Sequence, residues 1–231
     1  MSQSTEKMQR LYLKLAQQLS ERIARGDYPV GERLPSERDL AAQFGVSRPT
    51  VREAIIALEI AGLVDVRIGS GVYVQSQRAS QAALLEVQGP GPFEILDARK
   101  LIEGETCALA AQHASEQQLQ ALQAVVDEMT EENRREAVTE RADERFHWLI
   151  AQAAGNSALA ATVHWLWQLR SQSGISAHFQ QRVRAEGIRP IVEDHQAIID
   201  ALVRRDATAA RIAMQAHLQR VADHLLEVMQ P

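Results

Sequence analysis

The sequence has a single cysteine, Cys107, in 231 residues. It therefore has no intrachain disulfide, and a reducing cytoplasm is its expected setting. No apolar run approaches the length of a membrane span, and no signal-peptide core follows the start, so a soluble protein without a membrane partner is expected. Aromatic residues are scarce, at 4%, while Ala, Leu, Gln and Glu abound, which favours helix over strand. Histidine is missing from the first 112 residues, although the chain holds seven.

What is present is enough for two domains. Hydrophobic residues make up 45%, and the length exceeds that of one ordinary compact unit. The net charge of −5 argues at first against a polyanion partner, but the charge is unevenly spread. Residues 1–75 carry ten Lys/Arg against nine Asp/Glu, and the remainder carries fifteen against twenty-one. The two parts differ chemically.

Leu11, Leu15, Leu19 and Ile23 recur every fourth residue and predict an amphipathic helix that stops at Gly26. In "GERLPSERDLAAQFGVS", Ser36 can cap a short helix ending at Gly45, with Asp39 at the reciprocal position of a capping box. Ser47 is placed to cap the next helix, and Pro49 is tolerated in its first turn. Val51, Ile55 and Leu58 form its apolar stripe, and Gly62 ends it. "LVDVRIGSGVYV" alternates around Gly69-Ser70-Gly71 and predicts a β-hairpin. This order is that of a winged helix-turn-helix.

Residues 76–92 predict a linker with one helical stretch, broken at Gly89-Pro90-Gly91-Pro92. Beyond it strand signals fade, and six or seven helices are expected near 93–113, 115–132, 138–154, 157–171, 188–204 and 207–229, with a shorter segment at 175–185. The predicted fold is mainly α: a winged helix-turn-helix at 1–75, the linker, and an all-helical antiparallel bundle at 93–231.

In "SRPTVREAI", Arg48 and Arg52 share a helix face about a quarter turn from the apolar stripe, so both are expected to point outward. A helix N-terminus attracts anions, and the planar fork of arginine suits phosphates and guanine edges. Arg38, near the start of the preceding helix, falls where a further contact is useful. The alternative for any one of these arginines is ordinary solvated charge.

Asp143 and His147 lie four apart on one face of a predicted helix, and His195 and His217 lie on two later ones. One carboxylate and three imidazoles facing inward can form a Zn2+, Ni2+ or Mn2+ site. The alternative is that each is a hydrogen-bonded core residue. Arg99 and Glu103 share a face of the first bundle helix, as an effector clamp or an ordinary i, i+4 ion pair. Asn156 reads first as a helix cap.

The stretch "YPVGERLPSERDLAAQFGVSRPTVREAIIALEIAGLVDVRIGSGVYV" resembles the DNA-binding domain of the GntR family of bacterial regulators. The resemblance implies that Arg38, Arg48 and Arg52 reach bases or phosphates. Ser36, Ser47 and Thr50 would contact the DNA backbone, and Gly69 would sit at the minor groove. The remainder, through "FEILDARKLIEGETCALAA", the Asp-x-x-Phe-His of 143–147, "EDHQAIIDAL" and "AMQAHL", resembles the FCD ligand-binding domain of the FadR-like branch. That likeness implies a metal set of Asp143, His147, His195 and His217, and a small carboxylate effector held by Arg99, with Glu103 on the same face and Asn156 as a pocket residue. Within the branch, "GPFEILDARKLIE", "GNSALAATVHWLW" and "DALVRRDATAARIAMQAHL" look closest to the hexuronate-utilisation repressors.

The expected function is that of a homodimeric regulator on a double-stranded DNA operator, controlled by a small carboxylate and carrying a divalent ion, Zn2+ first with Ni2+ or Mn2+ as alternatives. Two other functions fit the residues less fully. One is a metal sensor. The other is a metal-dependent enzyme on a small hydroxy acid, for which the sequence offers no separate general base.

Overall fold

The computed structural model describes residues 10–77, 84, 87, 89–135 and 139–228. Among them are ten helices and one two-stranded hairpin. Two compact units result: Met1–Phe93 with Ser173–Phe179 and Leu226–Pro231, and Glu94–Gln172 with Gln180–Leu225. Most of the expected helical stretch within 76–92 lies outside the described residues.

The first unit opens with α1 (Leu11–Arg25), α2 (Glu37–Phe44) and α3 (Arg48–Ile60), followed by β1 (Val64–Arg67) and β2 (Gly71–Val74). The buried face of α1 is Tyr12, Leu15, Leu19 and Ile23, whereas Leu11 is exposed. The repeat of four thus picked the right stripe with the wrong first member, because helical spacing admits either i+3 or i+4. Ser36 caps α2 by accepting from the Asp39 amide at 3.2 Å. Its hydroxyl then donates to the Asp39 carboxylate at 2.7 Å. Ser47 caps α3 in the same way on the Thr50 amide, at 3.3 Å. Val51, Ile55 and Leu58 are buried, and α3 packs on both α1 and α2.

The hairpin pairs Val64 with Val74 and Arg67 with Gly71 in antiparallel register. Its turn needs Gly69, whose φ of 72 lies in the left-handed region. The segment before α2 adds a further edge: the Leu34 amide donates to the Val72 carbonyl, and the Gly31 amide to that of Val74, both at 2.8 Å. Its single bridge, Arg33 with Tyr73, has no period-2 pattern to announce it.

The remaining helices are α4 (Pro92–His113), α5 (Glu116–Asn133), α6 (Arg141–Ala153), α7 (Ser157–Gln172), α8 (Gly174–Ala185), α9 (Val192–Val203) and α10 (Ala207–Val228). The segment expected at 175–185 is a full helix. Ser115 and Gln118 form a capping box ahead of α5, which the sequence reading had not identified. In the second unit α5 packs on α6 and α9, and α6 on α7. Leu122, Val125 and Met129 meet a core that includes Phe146, Ile150, Ile198 and Leu202. No helix among the described residues is long and apolar enough to cross a membrane.

Candidate metal centre and nucleic-acid interface

The buried stripe of α6 includes Asp143, Phe146, His147 and Ile150, so one helical face delivers a carboxylate and an imidazole one turn apart. The inner stripe of α9 delivers His195 among Ile198, Ile199 and Leu202. Met214 and Leu218 flank the buried His217 on α10. The four side chains converge: each offers one ligand atom, and those atoms lie within 4.8 Å of one another. All four residues are buried, His195 completely.

Each histidine has its Nδ1 side occupied by an acceptor. The His195 Nδ1–H donates to the Ile191 carbonyl at 2.7 Å. The His217 Nδ1–H donates to Asp194 at 3.3 Å. His147 Nδ1 lies in ion-pair contact with Glu103. This arrangement fixes the tautomer that leaves Nε2 free, as in metal sites where carboxylates or carbonyls orient the histidines. The two carboxylates are themselves held by arginines. Arg99 Nε donates to Glu103 at 2.6 Å, and Arg220 Nε donates to Asp194 at 2.9 Å.

The inner atoms fit a divalent cation. His147 Nε2 is buried without a hydrogen-bond partner. His195 Nε2 stands 2.8 Å from Asp143 Oδ1. Since Nδ1 of that ring is already a donor, a proton must occupy the gap in the bare site, and a divalent ion would take its place. Protonation states agree with this. Burial pushes the Asp143 carboxyl up, but hydrogen bonds from His147 and His195 outweigh it and hold it well below the usual range. Burial likewise opposes ionisation of Glu103, yet Arg99 and His147 bring its pKa down to about 2. Burial keeps His217 neutral, with a pKa lowered to about 4. Ionised carboxylate and neutral imidazole are the forms that bind metal.

Arg99 is brought beside this centre. Its guanidinium lies 4.2 Å from the centroid of the Trp167 ring, and that ring is 5.3 Å from His147. Arg99 and Glu103 are both almost completely buried. Asn156 is exposed, and its amide oxygen caps α7 by accepting from Ala158 and Leu159. Sequence reasoning missed Asp194 and Arg220, since nothing in their spacing marks them as partners of His217.

In the first unit, Arg38, Ser36, Ser47 and Gly69 are exposed, and Thr50 is half-buried. Arg48 is also exposed and reaches Glu37 only at 3.8 Å. Arg52 differs from expectation. It is buried at 3% exposure, donates to both Glu37 oxygens and does not point outward. The first turn of α2 places Glu37 against that flank of α3, and a buried carboxylate there requires a cation.

A winged helix-turn-helix joined to a helical unit with a buried Asp/His centre defines a class: DNA-binding transcriptional regulators with a ligand-binding domain. Residues 11–74 match the model of the bacterial regulatory proteins of the gntR family, and residues 94–220 match that of the FCD domain. The Exu regulon transcriptional regulator of Escherichia coli (strain K12) is 41% identical over 91% of this chain and 82% of its own length. The Uxu operon regulator of Haemophilus influenzae is 34% identical over 95% of this chain and 83% of its own. A solved structure, Streptococcus agalactiae GntR, is 27% identical, with 92% of this chain and 99% of that one covered at a TM-score of 0.47. The chain belongs to the gntR family of bacterial regulatory proteins, in the branch that carries an FCD domain. It is a transcriptional regulator and not a metalloenzyme.

Proposed function

We propose that the chain is a cytoplasmic, homodimeric repressor in which residues 1–75 bind a double-stranded operator and residues 93–231 bind a hexuronate or related sugar acid beside a Zn2+ ion. Residues 76–92 link the two. Asp143, His147, His195 and His217 would hold the ion, which supplies a Lewis-acidic site for an effector oxygen. Arg38, Arg48, Ser36, Ser47, Thr50 and Gly69 serve the DNA surface. Arg52 reaches DNA only if its pair with Glu37 opens, and otherwise it positions α3.

The observation that carries the effector reading is Arg99 stacked on Trp167 beside the Asp/His centre. A guanidinium and a metal ion can grip two ends of one hydroxy acid. Glu103 occupies Arg99 in this structure, so an effector carboxylate must compete with it. The relatives named for the Exu regulon and the Uxu operon support the choice of sugar acid. If the effector releases DNA, linkage requires it to bind the DNA-free state more tightly.

The test is a thermal-shift panel on Zn2+-loaded and chelated protein with glucuronate, galacturonate, fructuronate, tagaturonate, gluconate, lactate and citrate, followed by operator titration with the best ligand. A ligand that binds the native state raises the melting point by mass action. A uronate shift that disappears on chelation and in Arg99→Ala supports the reading. A shift only with another acid overturns the hexuronate assignment. Operator affinity that tracks Zn2+ and ignores every acid overturns the effector and favours a metal sensor.

A further inference from the structure

A cavity of about 420 Å3 lies between α6 and α7, within the size range of small-molecule sites. Two indoles, Trp148 and Trp167, form part of its wall, and Arg141, Glu144, Arg145 and His164 supply its polar groups. None of these is among the candidate metal ligands or the Arg99–Glu103 pair.

Trp167 is the informative member. It is only 7% exposed, and its Nε1–H is buried with no hydrogen-bond partner. Buried indole N–H groups ordinarily find an acceptor. The ring is poorly placed to turn towards one, because two guanidiniums lie over it, Arg99 at 4.2 Å and Arg170 at 4.4 Å. An acceptor supplied by a ligand in the cavity satisfies the group without moving the ring.

The charges of the other lining residues narrow the ligand. Arg145 is neutralised by Glu128 at 2.6 Å. Arg141 is exposed at the start of α6 and makes no ion pair among the described residues. Glu144 can accept hydrogen bonds but repels a second negative charge. Apolar ring faces, one uncommitted cation, one orphan donor and one carboxylate suit a molecule with C–H faces, several hydroxyls and a single negative charge.

We infer that this cavity seats a hydroxylated monocarboxylic acid of sugar size, with its carboxylate on Arg141 and an oxygen accepting from Trp167 Nε1–H. Hydroxyls donate to Glu144, and the C–H face lies on Trp148. The seat needs no metal. It goes beyond the metal-centred effector reading and shares with it only the Trp167 wall, through which the two sites are coupled.

The test uses full-length protein, D-glucuronate as the probe, and D-glucose and acetate as controls lacking the charge or the hydroxyls. Calorimetry on chelated protein should show saturable binding of glucuronate but not of the controls. The indole resonance that vanishes in Trp167→Phe should move downfield on titration. Trp167→Phe and Arg141→Ala should each weaken binding by about tenfold or more, the effect of losing a hydrogen bond to a charged or buried group. Arg141 is exposed, so its variant reports on binding even if Trp167→Phe destabilises the fold. Binding that requires Zn2+ and ignores Arg141→Ala overturns this inference and leaves the metal-centred reading standing. Metal-free binding sensitive to Arg141→Ala, with no further effect of Zn2+, does the reverse. No binding with or without Zn2+ overturns both.

Discussion

His195 places Nε2 2.8 Å from Asp143 Oδ1 while its Nδ1–H is spent on the Ile191 carbonyl. The ring therefore has one nitrogen committed to orientation and one to whatever cation lies between it and the carboxylate. Removing it should abolish stoichiometric metal. After gel filtration, metal analysis of His195→Ala should find well under one ion per chain, against one for the unaltered protein. Asp194→Asn, which touches only the far side of His217, should weaken metal affinity by about 10–100-fold without abolishing it. Full retention of metal by His195→Ala would exclude this centre.

Arg52 and Glu37 make a buried ion pair, each side chain only 3% exposed. Removing one partner leaves an uncompensated charge, so Arg52→Ala should cost about 3–5 kcal/mol in denaturant unfolding. Replacing both by apolar residues of similar volume should cost far less. If Arg52→Ala leaves stability unchanged and only weakens DNA binding, the residue is a DNA contact and not a strut.

Arg38 and Arg48 are exposed, and neither is tightly paired. Alanine at either position should leave the melting temperature nearly unchanged. If it meets phosphate, each loss should lower the slope of log affinity against log salt by about one. A base contact would instead relax sequence preference at one operator position. Unaltered operator affinity in both variants would remove the exposed α2–α3 surface from the interface.

The helices were legible in sequence because their signals are local: Ser36 and Ser47 caps, Gly26 and Gly62 stops, and apolar stripes of helical period. The metal set was legible as residues, since Asp143, His147, His195 and His217 stand on inward stripes. Its support was not. Asp194 adjoins His195 in the chain yet serves His217, and Arg220 is one turn from His217 with no pattern to single it out. Arg52 shows the opposite failure. Helical geometry put it beside Arg48 on an outward edge, but its environment is set by Glu37, fifteen residues earlier and across a turn.

Cys107 is fully buried, and its thiol is pushed up to about 12, first by burial and then by the nearby Glu103 carboxylate. Only the thiolate reacts, so the native protein should be silent to a thiol reagent at pH 8 over hours. One thiol per chain should appear on unfolding. Rapid labelling of the folded protein would mean that α4 opens locally far more often than its packing implies.

Acid should test the Arg99–Glu103–His147 chain. Burial raises the Glu103 pKa, but Arg99 and His147 overcome it and set the folded value at about 2, below the ordinary 4.5. A depressed carboxyl binds fewer protons in the folded state than in the unfolded one. Its stabilising contribution is therefore complete above pH 4.5 and drains away as pH falls from there towards 2. Asp194, brought down from 3.8 to about 2 by His217 and Arg220 against the effect of burial, acts in the same direction. Chelated protein should lose melting temperature across this window. Glu103→Gln should start from a lower value at pH 7 and fall less steeply, because the glutamine has no proton to gain. Curves for the two proteins that run parallel from pH 5 to 2 would show that Glu103 is not held ionised by Arg99, and the carboxylate would then be free to leave Arg99 to an effector at little cost.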